Sequence, residues 1–552
     1  MVDLPLFGAK ARSTTLIRLT LTVGKRWART LEDAVCNLEN ALGSDMPTFA
    51  AVDIGANSVR LKIARLAGRR LDVLHEDREV TRLGAPVFRS GLLSPQAMAN
   101  TIKVLRRFHR ATQVHGAEIV RVVSTSPLRD ARNASAFVDW VRSATGWRVE
   151  VISGLEEGRL IHLGVVSNLR MGRGRLLLID LGGGSCELTT SHEGQIERMF
   201  SLPLGAVRLT QEFLPHDPPK KKELERLQEY IEREISRIER KVLDHRSQAC
   251  IATSGTAAAL AGMYAATHEK ESKPNVVPRL AVLRLAATLS ALNLSQRAGL
   301  RGIGPRRAEI IVAGAMVFSE LLTRLHLSGF RYSDLGLRDG LLDQMVADYD
   351  VGTRYRKQVE SERQSALLAG ARHFGVDLKF AVRVKTLAIM LFDGLQKVHR
   401  LPSEYEEWLA AACMLQEAGS FINRAGRHRH TYYIIANSEI FGFTIQQRRI
   451  IAAIARYIGK SRPTPGDRII RMVGFGDRDQ IPKAVMLLRL ARALDQSRRG
   501  AVQSVSVRIQ SDRVILKLAT RRSGADLELW ALEKERGYFR DVFGRELVPV
   551  LS

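Results

Sequence analysis

Residues 176–188 read Leu-Leu-Leu-Ile-Asp-Leu-Gly-Gly-Gly-Ser-Cys-Glu-Leu, and this stretch decides which fold we predict. Its aliphatic start, Leu176 to Ile179, is typical of a strand that is buried on both faces. Asp180 follows, and three glycines without Cβ atoms allow a sharp turn whose N–H groups can approach an anion. An acidic side chain beside a phosphate indicates a bridging divalent cation or a positioned water molecule. The alternative is a plain glycine turn between two strands.

The chain contains nearly the same pattern a second time, about 127 residues earlier. Residues 49–58 read Phe-Ala-Ala-Val-Asp-Ile-Gly-Ala-Asn-Ser, so Val-Asp-Ile-Gly-Ala-Asn-Ser aligns with Ile-Asp-Leu-Gly-Gly-Gly-Ser. Two such units predict two related half-domains, each offering a phosphate loop to a shared cleft. This arrangement is typical of the actin, sugar kinase and Hsp70 superfamily, and it favours a phosphate clamp over a plain turn.

Length and composition limit the number of domains and the class of protein that we expect. A chain of 552 residues predicts three or four domains. A hydrophobic content of 45% and a charged content of 26% are typical of a soluble globular protein. No apolar run reaches the roughly 18 residues that a membrane span needs. The cysteines are scattered without metal-type spacing, so we expect a reducing compartment, the cytoplasm; they are Cys36, Cys186, Cys250 and Cys413.

The net charge of +26 is large and unevenly distributed. Residues 351–552 hold 35 Lys and Arg against 20 Asp and Glu, which leaves +15 there and +11 in the first 350 residues. Such a charge favours a polyanionic partner, which could be nucleic acid, an acidic membrane surface or a phosphate polymer. A general arginine bias of the proteome is the alternative, and charge alone does not choose between them.

A pair of adjacent glutamates stands in residues 153–159, Ser-Gly-Leu-Glu-Glu-Gly-Arg. Ser153 and Glu156 fit a capping box at a helix start, which gives Glu156 a structural role. Glu157 is not needed for the cap and points about 100° further around the helix. Glu157 is therefore the better candidate for catalysis.

Two further loops have the composition of anion sites. Residues 251–256 form a third strand-to-glycine turn before a helix of small residues, and a helix N-terminus suits an anion or nucleotide. Residues 124–130 form a polar loop after a short strand, and Arg129 in that loop can offer a bidentate fork to phosphate.

With these motifs in order, the chain resembles the exopolyphosphatase/guanosine pentaphosphate phosphatase family. The resemblance covers about residues 50–345. It rests on Asp-Ile-Gly-Ala-Asn-Ser-Val-Arg (53–60), Ser-Thr-Ser-Pro-Leu-Arg-Asp-Ala (124–131), Ile-Ser-Gly-Leu-Glu-Glu-Gly-Arg-Leu (152–160), Ile-Asp-Leu-Gly-Gly-Gly-Ser-Cys-Glu-Leu (179–188), Ser-Leu-Pro-Leu-Gly-Ala-Val-Arg-Leu (201–209), Thr-Ser-Gly-Thr (253–256) and Gly-Leu-Arg-Asp-Gly (336–340).

The resemblance implies an enzyme that cleaves the terminal phosphoanhydride of inorganic polyphosphate, guanosine pentaphosphate or both. It implies Mg²⁺ as cofactor, with a monovalent cation left open, and a homodimer. Glu157 would be the general base that activates water, and Asp180 and Glu187 would hold the metal or orient that water. The implied phosphate-binding residues are Asp53, Asn57, Ser58, Arg129, Gly182, Gly183, Gly184, Ser185, Ser254, Gly255 and Thr256.

The expected fold class is α/β, with two actin-like (RNase H-like) lobes followed by an α-helical HD-like domain and a small C-terminal α+β cap. We expect an N-terminal extension at 1–46, a first lobe at 47–170 completed by about 310–345, and a second lobe at 171–309. The helical domain would span 346–500 and the cap 501–552, with a linker at Val346 to Gln358.

Several positions depart from the family pattern. Gly158 stands where Ala is usual and Cys186 where Thr is common, so we expect an altered rate with the chemistry kept. Ala56 in place of the usual Ser removes one hydroxyl from the first loop.

The helical domain resembles the HD phosphohydrolase fold, in which a His-Asp pair binds metal. Gln416 and Glu417 stand in that place, and Gln is a poor metal ligand, so we predict a degenerate centre. Asp495 could serve as the last ligand. The basic segment 427–430, Arg-His-Arg-His, would be either solvated or in contact with phosphate.

The leading hypothesis is a processive exopolyphosphatase, because extra domains and excess positive charge suit a long polymer. Guanosine pentaphosphate 5′-phosphohydrolase is the runner-up, and a non-hydrolytic sensor of polyphosphate or nucleotide is the alternative outside enzymes. A kinase running toward polyphosphate is also compatible with the cleft. No sequence-specific nucleic-acid partner is expected.

Overall fold

The structure is a computed structural model that describes residues 47–68, 70–169, 174–244, 249–267, 276–349, 354–521 and 524–551. The predicted N-terminal extension, 1–46, lies outside the described residues. The described residues divide into two compact units, one that ends at Val149 and one that begins at Glu150. Within the described part, no helix is both long and apolar enough to cross a membrane.

The first unit is built on a five-stranded sheet with the strand order β3-β2-β1-β4-β5. Phe49 to Val52 are fully buried, which is why this apolar run forms the central strand. The strands are β1 (Thr48–Ile54), β2 (Ser58–Ala67), β3 (Arg70–Val80), β4 (Ile119–Ser124) and β5 (Val149–Val151). The helices are α1 (Ala85–Ser90), α2 (Pro95–Val114), α3 (Ser126–Asp130) and α4 (Ala134–Thr145).

The second unit begins with a six-stranded sheet of order β10-β11-β9-β6-β7-β8. Its strands are β6 (Arg175–Leu181), β7 (Cys186–His192), β8 (Gln195–Leu202), β9 (Ala249–Thr253), β10 (Val276–Pro278) and β11 (Gly329–Tyr332). The accompanying helices are α5 (Gly154–Asn168), α6 (Ala206–Phe213), α7 (Lys221–Leu243), α8 (Ser254–Thr267), α9 (Arg279–Ala291), α10 (Leu294–Ala298), α11 (Pro305–Ala308), α12 (Ile311–Arg324) and α13 (Leu337–Tyr349).

The two sheets repeat one topology. In each, the first strand pairs antiparallel with the next one along the chain and parallel with a later one: β1 with β2 and β4, and β6 with β7 and β9. The loops also match, because Gly55 N donates to Ser58 O at 3.1 Å and Gly182 N donates to Ser185 O at 2.9 Å. The prediction of two related α/β halves from the repeated Asp-x-Gly-x-x-Ser pattern is confirmed.

Helix α5 is held close to α13 by glycines. A Cβ atom on Gly164 would lie 2.6 Å from Gly340 N, and one on Gly340 would overlap the carbonyl oxygen of Leu160. Side chains at these positions would push the helices apart. The position of α5, which carries Glu157, therefore depends on this crossing.

The C-terminal part of the second unit is mostly helical and shares one hydrophobic core. Its helices are α14 (Arg354–His373), α15 (Leu378–Gly394), α16 (Gln396–His399), α17 (Glu404–Leu415), α18 (Arg427–Asn437), α19 (Ile445–Arg456), α20 (Arg468–Met472), α21 (Ile481–Ala493) and α22 (Asp526–Phe543), with 3-10 turns at Ala418–Phe421 and Phe475–Asp477. A three-stranded sheet of order β12-β13-β14 ends the chain, with strands β12 (Val502–Ile509), β13 (Arg513–Thr520) and β14 (Glu546–Leu551).

The predicted linker at 346–358 is wrong in most of its length. Helix α13 continues to Tyr349 and α14 begins at Arg354, while residues 350–353 lie outside the described part. Val346 and Ala347 are fully buried, so this stretch packs like a core helix.

Candidate active site

Four polar residues form a row across neighbouring strands of the second sheet. Asp180 on β6 is in register with Thr253 on β9 and with Glu187 on β7, and Glu187 is in register with Ser201 on β8. Two carboxylates in direct cross-strand pairing repel each other and are unfavourable for the sheet alone. Such a costly pairing indicates a functional role.

Hydroxyl groups on both sides position these carboxylates. Ser201 Oγ donates a hydrogen bond to Glu187 Oε1 at 2.8 Å, and Thr253 Oγ1 donates one to Asp180 Oδ1. Neither Ser201 nor Thr253 could be assigned a role from the sequence, because the register that aligns four strands cannot be derived from local patterns.

Glu157 lies in the first turn of α5. Ser153 caps the start of the helix, and its Oγ accepts a hydrogen bond from Glu156 N at 3.1 Å, so half of the predicted capping box is formed. The Glu156 carboxylate forms an ion pair with Arg159 at 2.8 Å. The Glu157 side chain is buried, at 7% exposure.

The structure brings the three predicted catalytic carboxylates together. One carboxylate oxygen from each of Glu157, Asp180 and Glu187 lies within 4.8 Å of the others, and Glu157 and Glu187 are buried. Three like charges in a partly desolvated site need a cation or a proton to offset them. Carboxylate oxygens are hard ligands of the kind that Mg²⁺ prefers, so these residues fit the predicted metal. Among the residues that the structure describes, no second cluster of this kind forms.

The glycine loop between β6 and β7 is held in position by hydrogen bonds that its carbonyl groups accept. Ala206 N donates to Gly182 O at 3.0 Å and Val207 N donates to Gly183 O at 2.8 Å. Arg208 Nε donates to Gly184 O at 2.8 Å. The start of α6 therefore positions the loop beside the acidic cluster.

Two models of one protein family match this chain. The model described as the Ppx/GppA phosphatase family matches residues 62–349, and the model of Ppx/GppA phosphatase domain III matches residues 363–536. The first match alone covers more than half of the chain.

The chain belongs to the Ppx/GppA phosphatase family. This membership confirms the predicted family and implies phosphatase activity. It also confirms the fold class at the level of actin-like α/β domains followed by a helical domain, domain III.

Solved structures of similar proteins include a Ppx/GppA family member of Aquifex aeolicus, 29% identical, with a TM-score of 0.48 over 55% of this chain and 99% of that chain. An exopolyphosphatase from Cytophaga hutchinsonii is 24% identical, with a TM-score of 0.52 over 55% of this chain and 100% of that one. An exopolyphosphatase-like protein is 27% identical, with a TM-score of 0.50 over 54% of this chain and 97% of that chain. The exopolyphosphatase from C. hutchinsonii supports the fold.

Two departures from the Ppx/GppA pattern lie beside the carboxylates. A Cβ atom on Gly158 would lie 3.3 Å from Thr189 Oγ1 and 3.5 Å from Glu187 Cβ, so an alanine there would require Thr189 to shift by a few tenths of an ångström. Cys186 is fully buried, and burial followed by the charges of Glu187 and Asp180 raises its thiol pKa well above the ordinary value. A thiol of this kind stays protonated and does not act as a nucleophile.

The predicted phosphate contacts at 254–256 are the first three residues of α8. Ser254 has a left-handed φ of 84°, which fits the sharp turn from β9 into the helix. A side chain on Gly255 would overlap the guanidinium of Arg307, which therefore lies directly against this turn. Arg307 could not be assigned to this turn from the sequence, because 51 residues separate it from Thr256.

The remaining predicted phosphate contacts belong to the first unit. Asp53 is in β1, the carbonyl of Asn57 accepts hydrogen bonds from Thr81 N and Arg82 N, and buried Ser58 starts β2. Arg129 is in the short helix α3. Their binding of phosphate stays a prediction.

Gly205→Ala tests the position of the glycine loop. The backbone of Gly205, with φ −67° and ψ 140°, suits any residue, but its Cβ would overlap the backbone of Gly184. We expect the loop to shift and phosphate release to fall at least about tenfold. Gly304→Ala is the matched control, because Gly304 also precedes a helix, with φ −77° and ψ 152°, and has open space at Cβ. Equal rates in both variants would contradict the role of the loop.

Proposed function

We propose that this chain is an exopolyphosphatase that uses Mg²⁺ to hydrolyse the terminal phosphoanhydride of inorganic polyphosphate and release orthophosphate. The observation that supports this proposal best is the cluster of Glu157, Asp180 and Glu187 beside the glycine loop. Hydrolysis of a phosphoanhydride requires a positioned water, a base and charge stabilisation more than covalent catalysis. The family and its exopolyphosphatase-like relative agree with this reaction class.

In the proposed reaction, Glu157 accepts a proton from a water molecule as the water oxygen bonds to the terminal phosphorus. The bond from that phosphorus to the bridging oxygen breaks, and the shortened chain leaves with the electron pair. Ser201 and Thr253 orient Glu187 and Asp180 by the hydrogen bonds described above. Asp180 and Glu187 would hold Mg²⁺, which when bound offsets the negative charge of the phosphates.

We assign phosphate contacts to the loops around 53–58 and 182–185, to the turn at 254–256 and to Arg129. The N–H groups and hydroxyls of such turns suit phosphate oxygens, and Arg129 can add a bidentate contact. The proposed contacts are Asp53, Asn57, Ser58, Arg129, Gly182, Gly183, Gly184, Ser185, Ser254, Gly255 and Thr256.

A basic pocket in the helical region favours a polymer as substrate. It has a volume of about 540 Å³, and its lining includes Arg448, Arg449 and Arg468 but no carboxylate among the described residues. Arg448 also interacts electrostatically with Glu156, the neighbour of the proposed base. A chain of phosphates that leaves the site could therefore meet compensating charge in this region.

The second candidate is guanosine pentaphosphate 5′-phosphohydrolase. The same pocket has apolar walls from Tyr432, Ile445 and Met472, a surface that a guanine base could contact. The chemistry at Glu157 would be unchanged, since both substrates end in a phosphoanhydride. A non-hydrolytic sensor is the third possibility.

Phosphate release from long-chain polyphosphate and from guanosine pentaphosphate, measured side by side with Mg²⁺ at 50 and about 200 mM salt, distinguishes these functions. We expect faster release from the polymer and a steeper loss with salt for the polymer than for the nucleotide, because more phosphates are neutralised. Faster turnover of the nucleotide would favour the second candidate. Release from neither would favour a sensor.

The cytoplasmic location and the homodimer stay predictions.

A further inference from the structure

The region around Gln416 and Glu417, predicted to be a degenerate metal centre, is filled by guanidinium groups. Arg498 Nη2 donates to Glu417 Oε1, and Arg492 Nη1 donates to the amide oxygen of Gln416. Asp495, the proposed last metal ligand, accepts a hydrogen bond from Arg383 Nε at 2.7 Å. We call Arg383, Arg427, Arg492 and Arg498 the arginine cluster.

The arginine cluster has more positive charge than its carboxylates offset. Four guanidiniums surround Glu417 and Asp495, which leaves a net charge of +2. Arg492 Nη2 and Arg427 Nη1 lie 3.6 and 4.0 Å from Glu417 Oε1, beyond hydrogen-bond distance. One carboxylate oxygen is thus shared by three guanidiniums, of which that of Arg498 lies nearest to it.

The cluster extends from the surface into the interior. The side chains of Arg427 and Arg498 are 39% and 42% exposed, while that of Arg492 is 16% exposed. Burial, only partly offset by Glu417, and repulsion from Arg427 and Arg498 together lower the pKa of Arg492 to about 10. An anion that entered from the surface would therefore relieve repulsion between the arginines.

The backbone and an aromatic ring hold Arg498 in place. It has a left-handed φ of 59°, its carbonyl accepts a hydrogen bond from Arg383 Nη2 at 2.8 Å, and its guanidinium lies 4.1 Å from the centre of the Phe380 ring. A left-handed conformation at a non-glycine residue costs energy that packing must offset. Such fixed guanidiniums are suited to bidentate binding of phosphate.

We propose that the arginine cluster is a metal-independent binding site for a phosphate dianion, separate from the acidic cluster. The net charge of +2 matches a dianion, and Arg427 and Arg492 have N–H groups that the protein's carboxylates do not hydrogen-bond. The ligand is either free orthophosphate or the terminal phosphate of a longer phosphate chain. Guanidinium groups contact Gln416, Glu417 and Asp495, the positions expected of metal ligands, so the proposed binding of phosphate does not require Mg²⁺.

Calorimetric titration of the full-length protein with inorganic phosphate in EDTA tests this site. Without divalent cations the acidic cluster repels phosphate, and substitutions within the arginine cluster separate binding there from binding at the basic pocket of Arg448, Arg449 and Arg468. We expect one phosphate per chain, and Arg427→Gln should weaken its binding about tenfold. Arg427 has no side-chain hydrogen bond within the described residues, so its loss should not unfold the protein. Arg372→Gln, an exposed change on α14, is the matched control.

Glu417→Gln is expected to change the affinity for phosphate in the opposite direction. Removing the competing carboxylate raises the net charge to +3 and should tighten phosphate binding about tenfold. No binding of phosphate in EDTA, or unchanged affinity in both Arg427→Gln and Glu417→Gln, would overturn the proposal. Pyrophosphate titrated in parallel identifies the ligand: tighter binding than orthophosphate assigns the site to chain ends, and weaker binding assigns it to the released product. The result is independent of whether the chain hydrolyses polyphosphate.

Discussion

Glu157→Gln is expected to lower phosphate release from polyphosphate at least about 100-fold, because Gln cannot accept the proton of the attacking water. Gln has nearly the same size as Glu, so the α5 start and the burial of the side chain should be kept. Removing one of three clustered carboxylates also relieves repulsion, so the protein should be as stable as the wild type or more stable. Single-turnover release of phosphate at saturating substrate measures the chemical step.

Glu229→Gln is the matched control for this change. Glu229 is an exposed residue of α7 outside the acidic cluster, and the same substitution there should leave the rate within about twofold, as for most surface changes. An unchanged rate in Glu157→Gln would show that Glu157 is not the base. A loss of rate that comes with unfolding would assign Glu157 a structural role.

Arg159→Met is expected to lower the free energy of unfolding of the unit that contains α5 by about 3–5 kcal/mol. Arg159 is fully buried, and its guanidinium donates to Glu156 at 2.9 Å, to Glu362 at 2.7 Å and to Gln344. Burial by itself lowers the pKa of Arg159, but attraction to Glu156 and Glu362 outweighs it and the pKa is raised. Methionine leaves Glu362 buried without its cation. The urea midpoint of unfolding measures the loss.

A second substitution separates the stability lost with the ion pair from the stability lost through changed packing. Burial raises the pKa of Glu362, so this carboxylate is costly without Arg159. Arg159→Met/Glu362→Met should therefore be more stable than Arg159→Met, since an apolar pair can replace a buried ion pair at little cost. If the double variant were the less stable one, the network would not be the reason for the loss. Arg240→Met, on the exposed face of α7, should change stability little.

The local parts of the site could be predicted from the sequence because they repeat a short pattern. The Asp-x-Gly-x-x-Ser units identified both glycine loops, and the Ser-x-x-Glu start placed Glu157 in the first turn of a helix. Periodicity and turn composition report on neighbours along the chain, which explains why these predictions succeeded. The roles of the residues stay predictions.

The long-range parts of the site could not be predicted. Ser201 and Thr253 reach the carboxylates through strand register, and Glu362 reaches Arg159 across 203 residues. The arginine cluster joins Gln416 to Arg492, 76 residues apart. None of these pairings has a local sequence signal, since each depends on how whole helices and strands pack. The linker prediction failed for a related reason, because a polar stretch with buried neighbours can continue a helix.

The measurement that tests the central claim most directly is the Mg²⁺ dependence of phosphate release from polyphosphate in the wild type and in Asp180→Asn. Wild-type release should be abolished by EDTA and restored by Mg²⁺, and Asp180→Asn should require at least about tenfold more Mg²⁺ because one ligand charge is lost. Asn keeps an oxygen that can accept the hydrogen bond from Thr253, so the geometry of the row is preserved. Full release in EDTA, or the same Mg²⁺ requirement in both proteins, would contradict the assignment of the acidic cluster as the metal centre of a phosphatase.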